Sequence, residues 1–464
     1  MTGEELAWKT IPELGRLIRS GATSPTELAE FFMDRLERIG RPLNAVVTIT
    51  RDLAMAQAHQ TEDELMHGID RGPLHGIPYG AKDLLATDGI ATSWGAAPFA
   101  EQVFPHNAAV IERLRTAGAV LVAKLAMVEL AGGFGYQHPN AAFTGPGRNA
   151  WNANAWAGGS SSGSGAAVAA GCIPFAIGSE TWGSIMGPAC YNGITGLRPT
   201  YGRVSRYGAM ALSWTMDKLG PLARTATDCE TVLAAIAGPD PRDPTTSAAP
   251  PFEPSLMPPD RFRFAVLEDA AASGEVRANF EASLAVLEEI GTLEEAPLPD
   301  LPFDEAASIV IRAEAASAFE EFITSGDCAG LTAPEDRWGL YDGLTLPAVD
   351  YLRALRIRRL GSRQLDALLA QYDAIVAPTE SAVAPHIDKR FPPFFVHDDG
   401  ASLGAAGNLC GLPSISVPNG FGKDHLPTGL EFMGRAYSED RIIAPAQAFQ
   451  ARTDWHTRHP GEEG

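Results

Sequence analysis

Cysteine is scarce in this 464-residue chain. Its five residues, Cys172, Cys190, Cys229, Cys328 and Cys410, are an odd number, widely scattered and without a CxxC pair. That pattern argues against a disulfide framework or a cysteine zinc site and fits a reducing compartment. Basic charge is also in short supply: 36 Lys and Arg stand against 57 Asp and Glu, a formal net charge of −21. Such a field repels phosphate backbones and anionic lipid surfaces at long range, so neither nucleic acid nor membrane is an expected partner. Arg353, Arg356, Arg358 and Arg359 cluster on one predicted helix, and a solvated helix face is the favoured reading over a local nucleic-acid site. Long apolar runs are missing too. Residues 153–178 carry no charge, but Ser, Gly and Pro break them too heavily for a membrane span. The opening MTGEELAWKTIPELGRLIRSG has early acids and no apolar centre, so no signal peptide is expected and the protein reads as cytoplasmic. No period of 20–50 residues repeats. A GxxxxGK[ST] loop, an HExxH pair and a Rossmann fingerprint in strand–turn–helix context are all absent, and no metal, nucleotide or organic cofactor is expected.

What is present is the composition of a globular enzyme or binding protein, 45% hydrophobic with 47 glycines and 35 prolines. Residues 10–20 predict a short helix closed by Gly21. In SPTELAEFFMDRLERIG, Ser24 can cap the next helix, Pro25 suits its first position and Glu27 completes a capping box. Leu28, Phe31, Phe32, Leu36 and Ile39 form its apolar stripe. From residue 74 the pattern alternates: a short strand in LHGIPYGAKDL, a helix in VIERLRTAG, strands in AVLVA and IPFAIG around a small-residue helix in AAVAAG. Further strands are expected in FRFAVLE, YDAIVAP, SISVPNG and TGLEFMG, with a helix in EVRANFEASLAVLEEIG. This alternation predicts an α/β fold with a mixed, twisted sheet flanked by helices. The proline-rich stretch 237–260 reads as a surface loop or crossover. We expect an N-terminal helical segment, 1–70, packed outside one continuous α/β domain, 71–464.

Residues 157–165, AGGSSSGSG, raise the main question, because they run directly into the apolar AAVAAGCIPFAIG. One reading is a flexible linker. A second is a nucleophile elbow, since Gly159 to Gly163 formally satisfies G-x-S-x-G with Ser161 as nucleophile. That elbow needs an apolar strand before it, and NAWNANAWA is not one. It also needs a later histidine, for which His386, His397 and His425 are unremarkable loop candidates.

A third reading takes in more of the chain. GIPYGAKDL with Lys82, AGGSSSGSGAA with Ser160 and GSETWGSIMGPA with Ser184 together resemble the amidase signature family, whose members use a Ser–cis-Ser–Lys triad. MVELAGGFG, NGITGLRPTYGRVSRYGAM, YDAIVAPT, NLCGLPSISVPNGF and LPTGLEFMGRAYSED look like the family as well, so the likeness covers most of the chain. It implies that Ser184 is the nucleophile, Ser160 the bridging serine after a cis peptide bond, and Lys82 the base. The backbone N–H groups of Thr181, Trp182, Gly183 and Ser184 would form the oxyanion hole.

The chemistry asks for such residues. A serine hydroxyl is a weak nucleophile without a base in hydrogen-bond reach, and no histidine lies in these blocks. A solvated lysine, pKa ~10.4, stays protonated; lowering that by ~3 units takes about 4 kcal/mol of differential destabilisation, which burial can supply. Alone, Lys82 would read as a surface ion pair with Asp83. A hydroxyl donates and accepts at once, so Ser160 can pass a proton between Ser184 and Lys82. Ser161 and Ser162 are expected to bond the backbone and cap the following helix. Two departures from the family pattern bear on the substrate: Trp182 stands where a second glycine is usual, and Met186-Gly187 replaces an R-I pair. Trp182 either packs in the core or walls a pocket with Gly133 and Phe134.

The expected activity is hydrolysis of a small or aryl carboxamide, or a urea-like C–N bond, by a chain that could form a homodimer. One alternative is the glutaminase subunit of a tRNA-dependent amidotransferase. Against it, residues 330–360 lack an FG-x-EV-x-x-R block, and Ala401 stands where that subunit tends to carry an acidic glutamine contact. The other alternative is a catalytically silent binding or scaffold protein on the same fold.

Overall fold

The computed structural model describes residues 3–246, 250–254, 261–391 and 400–461. His397 and parts of the 237–260 and 380–405 loops lie outside the described residues. β-Branched and small apolar runs supply strands β1 (Val46–Ile49), β2 (Pro78–Lys82), β3 (Val120–Leu125), β4 (Phe175–Glu180), β5 (Thr195–Arg198) and β6 (Lys218–Ala223). After the proline-rich stretch come β7 (Phe262–Leu267), β8 (Gly291–Ala296), β9 (Ala374–Pro378), β10 (Ser414–Phe421) and β11 (Pro427–Met433). Among the described residues they form one sheet in the order β1-β3-β2-β4-β6-β5-β10-β11-β9-β7-β8. The pairs β3/β2, β2/β4, β9/β7 and β7/β8 are parallel and the remainder antiparallel, which makes the sheet mixed.

Both faces of the central strands are covered. Successive side chains of a strand point to opposite faces, and here Leu121, Phe175 and Ile177 enter one apolar cluster while Val120, Val122 and Ala176 enter another. Every residue of β2, β3 and β4 is buried, as expected of strands sandwiched by helices.

The N-terminal helices Ile11–Arg19 and Pro25–Arg35 both begin with a reciprocal capping box, Thr10 with Glu13 and Ser24 with Glu27. Leu28, Phe32 and Leu36 are fully buried, whereas Phe31 and Ile39 are only half-buried. The Ile11 backbone N–H donates to Asp228 Oδ1 at 2.8 Å, tying the first helix to Ala226–Ile236. The segment 1–70 is not wholly helical: the β-branched VVTI of β1 joins the sheet edge beside β3. Of the four clustered arginines, Arg358 turns inward and donates to the Leu409 carbonyl and Thr215. No helix among the described residues is long and apolar enough to cross a membrane.

Candidate active site

β2 and β4 run side by side in parallel, so their carboxyl ends open on the same edge of the sheet. Lys82 is the last residue of β2, and the turn Thr181–Ser184 follows Glu180, the last residue of β4. Crevices beyond the carboxyl ends of parallel strands are where α/β sheets place their chemistry.

The serine-glycine stretch lies inside the protein, which removes the linker reading. Gly163 shows why glycine is needed: a Cβ there would stand 2.3 Å from the Ala45 carbonyl oxygen and 2.6 Å from the Ala126 nitrogen. The chain turns through a cis Gly159–Ser160 peptide into the helix Ser162–Ala169. That turn presents hydroxyls to Lys82, which is fully buried. Lys82 Nζ donates to Ser160 Oγ at 2.6 Å, Ser179 Oγ at 2.9 Å and Ser161 Oγ at 3.0 Å. Burial disfavours the ammonium and brings its pKa down to about 7, against the opposing pull of the Asp217 and Glu180 carboxylates.

The ion pair expected of an isolated Lys-Asp dipeptide does not form. Asp83 pairs with Lys124 at 2.9 Å and accepts the Ser93 backbone N–H at 2.8 Å. Ser161 meets half of its expectation. It precedes the helix, but its side chain does not cap it. It does bond the backbone, Oγ donating to the Ser179 carbonyl at 3.2 Å, and it accepts from Lys82. The elbow reading fails on the same observation, and no strand precedes the serine.

Ser184 meets this group through the backbone: the Ser161 N–H donates to the Ser184 carbonyl at 3.3 Å. The turn carrying Ser184 needs Gly183, whose φ is +80°, a conformation that L side chains rarely adopt. Two residues not singled out from the sequence fix this turn. Glu180 Oε2 accepts the N–H groups of Ile185 at 2.7 Å and Met186 at 3.0 Å, directly after Ser184. Its Oε1 accepts from Arg198 at 2.7 Å and Asn408 at 2.9 Å. Burial opposes ionisation of Glu180, but the Arg198 guanidinium, Lys218 and the Met186 N–H together outweigh it and hold the pKa at about 2. On the other side Asp217 accepts the Thr181 hydroxyl at 2.6 Å and the Leu212 and Ser213 N–H groups; burial raises its pKa. The only local hint of Glu180 was its place inside GSETWGS.

A cavity of about 640 Å³ opens over this edge. Gly133, Phe134, Gly159, Thr181, Trp182 and Ser184 all line it, whereas Ser160 is buried. Trp182 serves both readings given to it, lining the cavity and packing on the apolar cluster around Leu403. Much of the wall is apolar, from Tyr136, Leu212, Ile311, Leu340 and Phe391. Two loops, 129–137 and 331–340, clasp each other across it. Glu129 accepts the N–H groups of Thr332 at 2.8 Å and Ala333 at 2.9 Å, and Gln137 N–H donates to Glu335 at 2.6 Å. Asp336 is buried beside Glu129, and burial with that neighbouring carboxylate pushes its pKa far up. Among the described residues no group of three or more His, Cys, Asp and Glu could hold a metal ion.

Comparison with known proteins adds a common pattern. A family profile described as Amidase matches residues 27–443. The chain is similar to a glutamyl-tRNA(Gln) amidotransferase subunit from Methylococcus capsulatus, 35% identical with 97% of this chain and 98% of that protein covered. Among solved structures, a native peptide amidase from Stenotrophomonas maltophilia is 33% identical with a TM-score of 0.84, covering 96% of this chain and 97% of that one. The corresponding glutamyl-tRNA(Gln) amidotransferase subunit from Thermotoga maritima superposes with a TM-score of 0.78 at 26% identity, covering 99% and 97%.

Proposed function

This chain belongs to the amidase signature family of enzymes acting on carbon–nitrogen bonds, and from that premise we propose that it hydrolyses amides through an acyl-enzyme on Ser184. Ser184 attacks the amide carbon while its proton passes to Ser160, whose own proton passes to neutral Lys82. The oxyanion is met by backbone N–H groups of the Thr181–Ser184 turn, a preorganised arrangement in which losing one donor typically costs ~3–4 kcal/mol. The relay returns a proton to the departing amine, and water then repeats the path to release the carboxylic acid. The observation that carries this reading is the fully buried Lys82 ammonium 2.6 Å from Ser160 Oγ, with its pKa brought down to about 7. A base works best when its pKa lies near the working pH. The test is labelling of the purified chain by a serine-directed fluorophosphonate. Labelling lost in Ser184→Ala supports the reading, and no labelling between pH 6 and 10 refutes it.

Two substrate readings follow. The apolar cavity wall of Phe134, Trp182, Leu212 and Ile311 supports a stand-alone amidase for a small or aryl carboxamide. The curated relatives, 35% identical across nearly the whole chain, favour the glutamine-hydrolysing subunit of a tRNA-dependent amidotransferase over the first reading. Amide hydrolysis by the purified chain alone, with glutamine rejected, selects the first. Glutamine hydrolysis that rises on adding amidotransferase partner subunits selects the second.

A further inference from the structure

Gly187, three residues beyond Ser184, is the second residue of the helix Met186–Asn192 and is buried yet little crowded. A Cβ at this position would have two neighbours within 4 Å: Glu380 Oε1 at 3.0 Å and the Gly159 carbonyl oxygen at 3.9 Å. Gly159 lines the catalytic cavity. A bulkier residue here would press on Glu380; with glycine, the Glu380 carboxyl and the carbonyl of Gly159, a residue lining the cavity, both lie close to this position.

Glu380 lies deep in the protein yet keeps accessible surface, the combination expected of a group facing an internal cavity. The same holds for Tyr191, whose hydroxyl stands 3.5 Å from Glu380 Oε2. Glu180 and Glu431 both lie near Arg198, but no basic side chain pairs with Glu380 among the described residues. Burial, together with the Glu431 and Glu180 carboxylates, pushes its pKa up to about 8. A buried carboxyl group without a counter-charge is a costly feature to keep.

Aromatic rings connect this carboxyl to the catalytic cavity. Tyr136 and Phe391 line that cavity and meet edge-to-face at 5.5 Å. Trp156 packs on Phe391 at 4.6 Å, and Tyr191 lies 6.3 Å from Trp156. Ring faces attract cations, and a cluster of them beside a carboxylate recognises an ammonium better than either alone.

We propose that the space at Gly187, walled by Glu380, the Gly159 carbonyl and the Tyr136–Phe391–Trp156–Tyr191 rings, is a subsite for a protonated amino group carried by the amide substrate. The inference rests on the amide-hydrolase reading for its place in a reaction, but the subsite is testable by binding alone. A bound ammonium supplies the missing counter-charge, donates a hydrogen bond to the Gly159 carbonyl and excludes neutral analogues of the same shape.

The test measures calorimetric binding of 3-aminopropanamide and its neutral analogue butanamide to the Ser184→Ala protein, with Glu380 intact or changed by Glu380→Gln. With Glu380 the cationic amide binds at least tenfold tighter than the neutral one, and below pH 8 its binding releases a proton that shows as a buffer-dependent heat. In Glu380→Gln the affinity ratio falls toward one and the proton release vanishes. Gly187→Ala, which adds a methyl group against Oε1, lowers the ratio as well. Equal affinity for the two amides in the Glu380 protein, including no detectable binding of either, overturns the proposal, as does a ratio unchanged by Glu380→Gln. Turnover of butanamide by the unmodified enzyme reports separately on the reaction: no turnover with the tenfold ratio preserved removes the reaction and leaves the subsite.

Discussion

Lys82 Nζ stands 2.6 Å from Ser160 Oγ, and both groups are shut away from solvent. The adjacent acid faces elsewhere: Asp83 pairs with Lys124 at 2.9 Å. Alternation along a strand sends consecutive side chains to opposite sides, so the lysine is separated from the charge next to it in the chain and surrounded by hydroxyls. Serine oxygens satisfy an ammonium without fixing its charge, and this allows the proton to leave.

Activity therefore rises with pH and levels off above neutrality. In the proposed mechanism Lys82 acts only when neutral, and its pKa lies at about 7, so kcat/KM is expected to increase through pH 7 and reach a plateau above it. Lys82→Met removes at least ~10³-fold of kcat/KM, in line with loss of a general base. A pH–rate profile of the wild type and single-turnover assays of the variant check both statements.

The same group sets a stability trend. An unfolded lysine keeps its proton up to about 10.5, whereas the folded one releases it near 7. Between these values the unfolded state holds more protons, so stability rises with pH across that window. Urea unfolding at pH 7 and pH 10 shows the wild type gaining on Lys82→Met as pH rises; a parallel pH dependence in the two proteins contradicts this account.

Glu180→Gln loosens the nucleophile turn. The carboxylate holds two N–H groups on one side and Arg198 with Asn408 on the other, and its loss removes the short ion pair of the buried Arg198, leaving Glu431 at 4.0 Å; breaking a buried pair typically costs ~3–5 kcal/mol. Because the folded pKa is depressed to about 2, this stability is present above the unfolded value near 4.5 and is lost as pH falls toward 2. Denaturant melts from pH 7 down to pH 3 measure the decline, and kcat falls by at least tenfold with KM less affected.

Asp336→Asn acts on the cavity mouth. Its carboxyl pKa is raised by burial beside Glu129, so the folded state holds a proton that the unfolded state releases above the ordinary carboxylate range. The stability contributed by that proton is full below the unfolded pKa and lost as pH rises toward the raised value. Asparagine keeps the shape without the titration. Thermal unfolding at pH 5 and pH 8 shows a larger loss between the two for the wild type than for the variant.

Trp182→Gly opens the cavity. The indole lines the wall above Ser184 and stands 2.9 Å from where a Cβ on Gly404 would lie. Hydrophobic pockets discriminate by ~10–200-fold for each methylene, so the ratio of kcat/KM for a bulky aryl amide over acetamide rises at least tenfold in the variant. A panel of amides of graded size measures it.

The elements that could be read from the sequence were those whose pattern was local. AVLVA, IPFAIG, FRFAVLE and YDAIVAP are apolar runs, and each lies in a strand. β6 escaped notice because KLGPLA contains Lys218, Gly220 and Pro221; it is held as a strand by β4 and β5 on its two sides. β8 escaped because GTLEEA is polar, and at the sheet edge half its residues face water. At the site, short motifs singled out Lys82, Ser160 and Ser184. They could not point to Glu180, Asp217 or the Glu129–Asp336 pair, each of which joins neighbouring turns to a partner distant in the chain, Asn408, Thr181 or the 331–340 loop, that meets it only after folding.

Glu180 reaches Arg198 on β5 and Asn408 on the helix Gly404–Leu409. The proposed bond-breaking groups, encoded in the first half of the gene, are thus braced by a residue near its far end, while one of the two loops that clasp the cavity, 331–340, comes from the stretch between. Such a layout lets natural variation reshape what enters without disturbing what reacts. It also means that an amino-terminal fragment bearing Lys82, Ser160 and Ser184 would own every reactive atom and still lack the frame that aligns them.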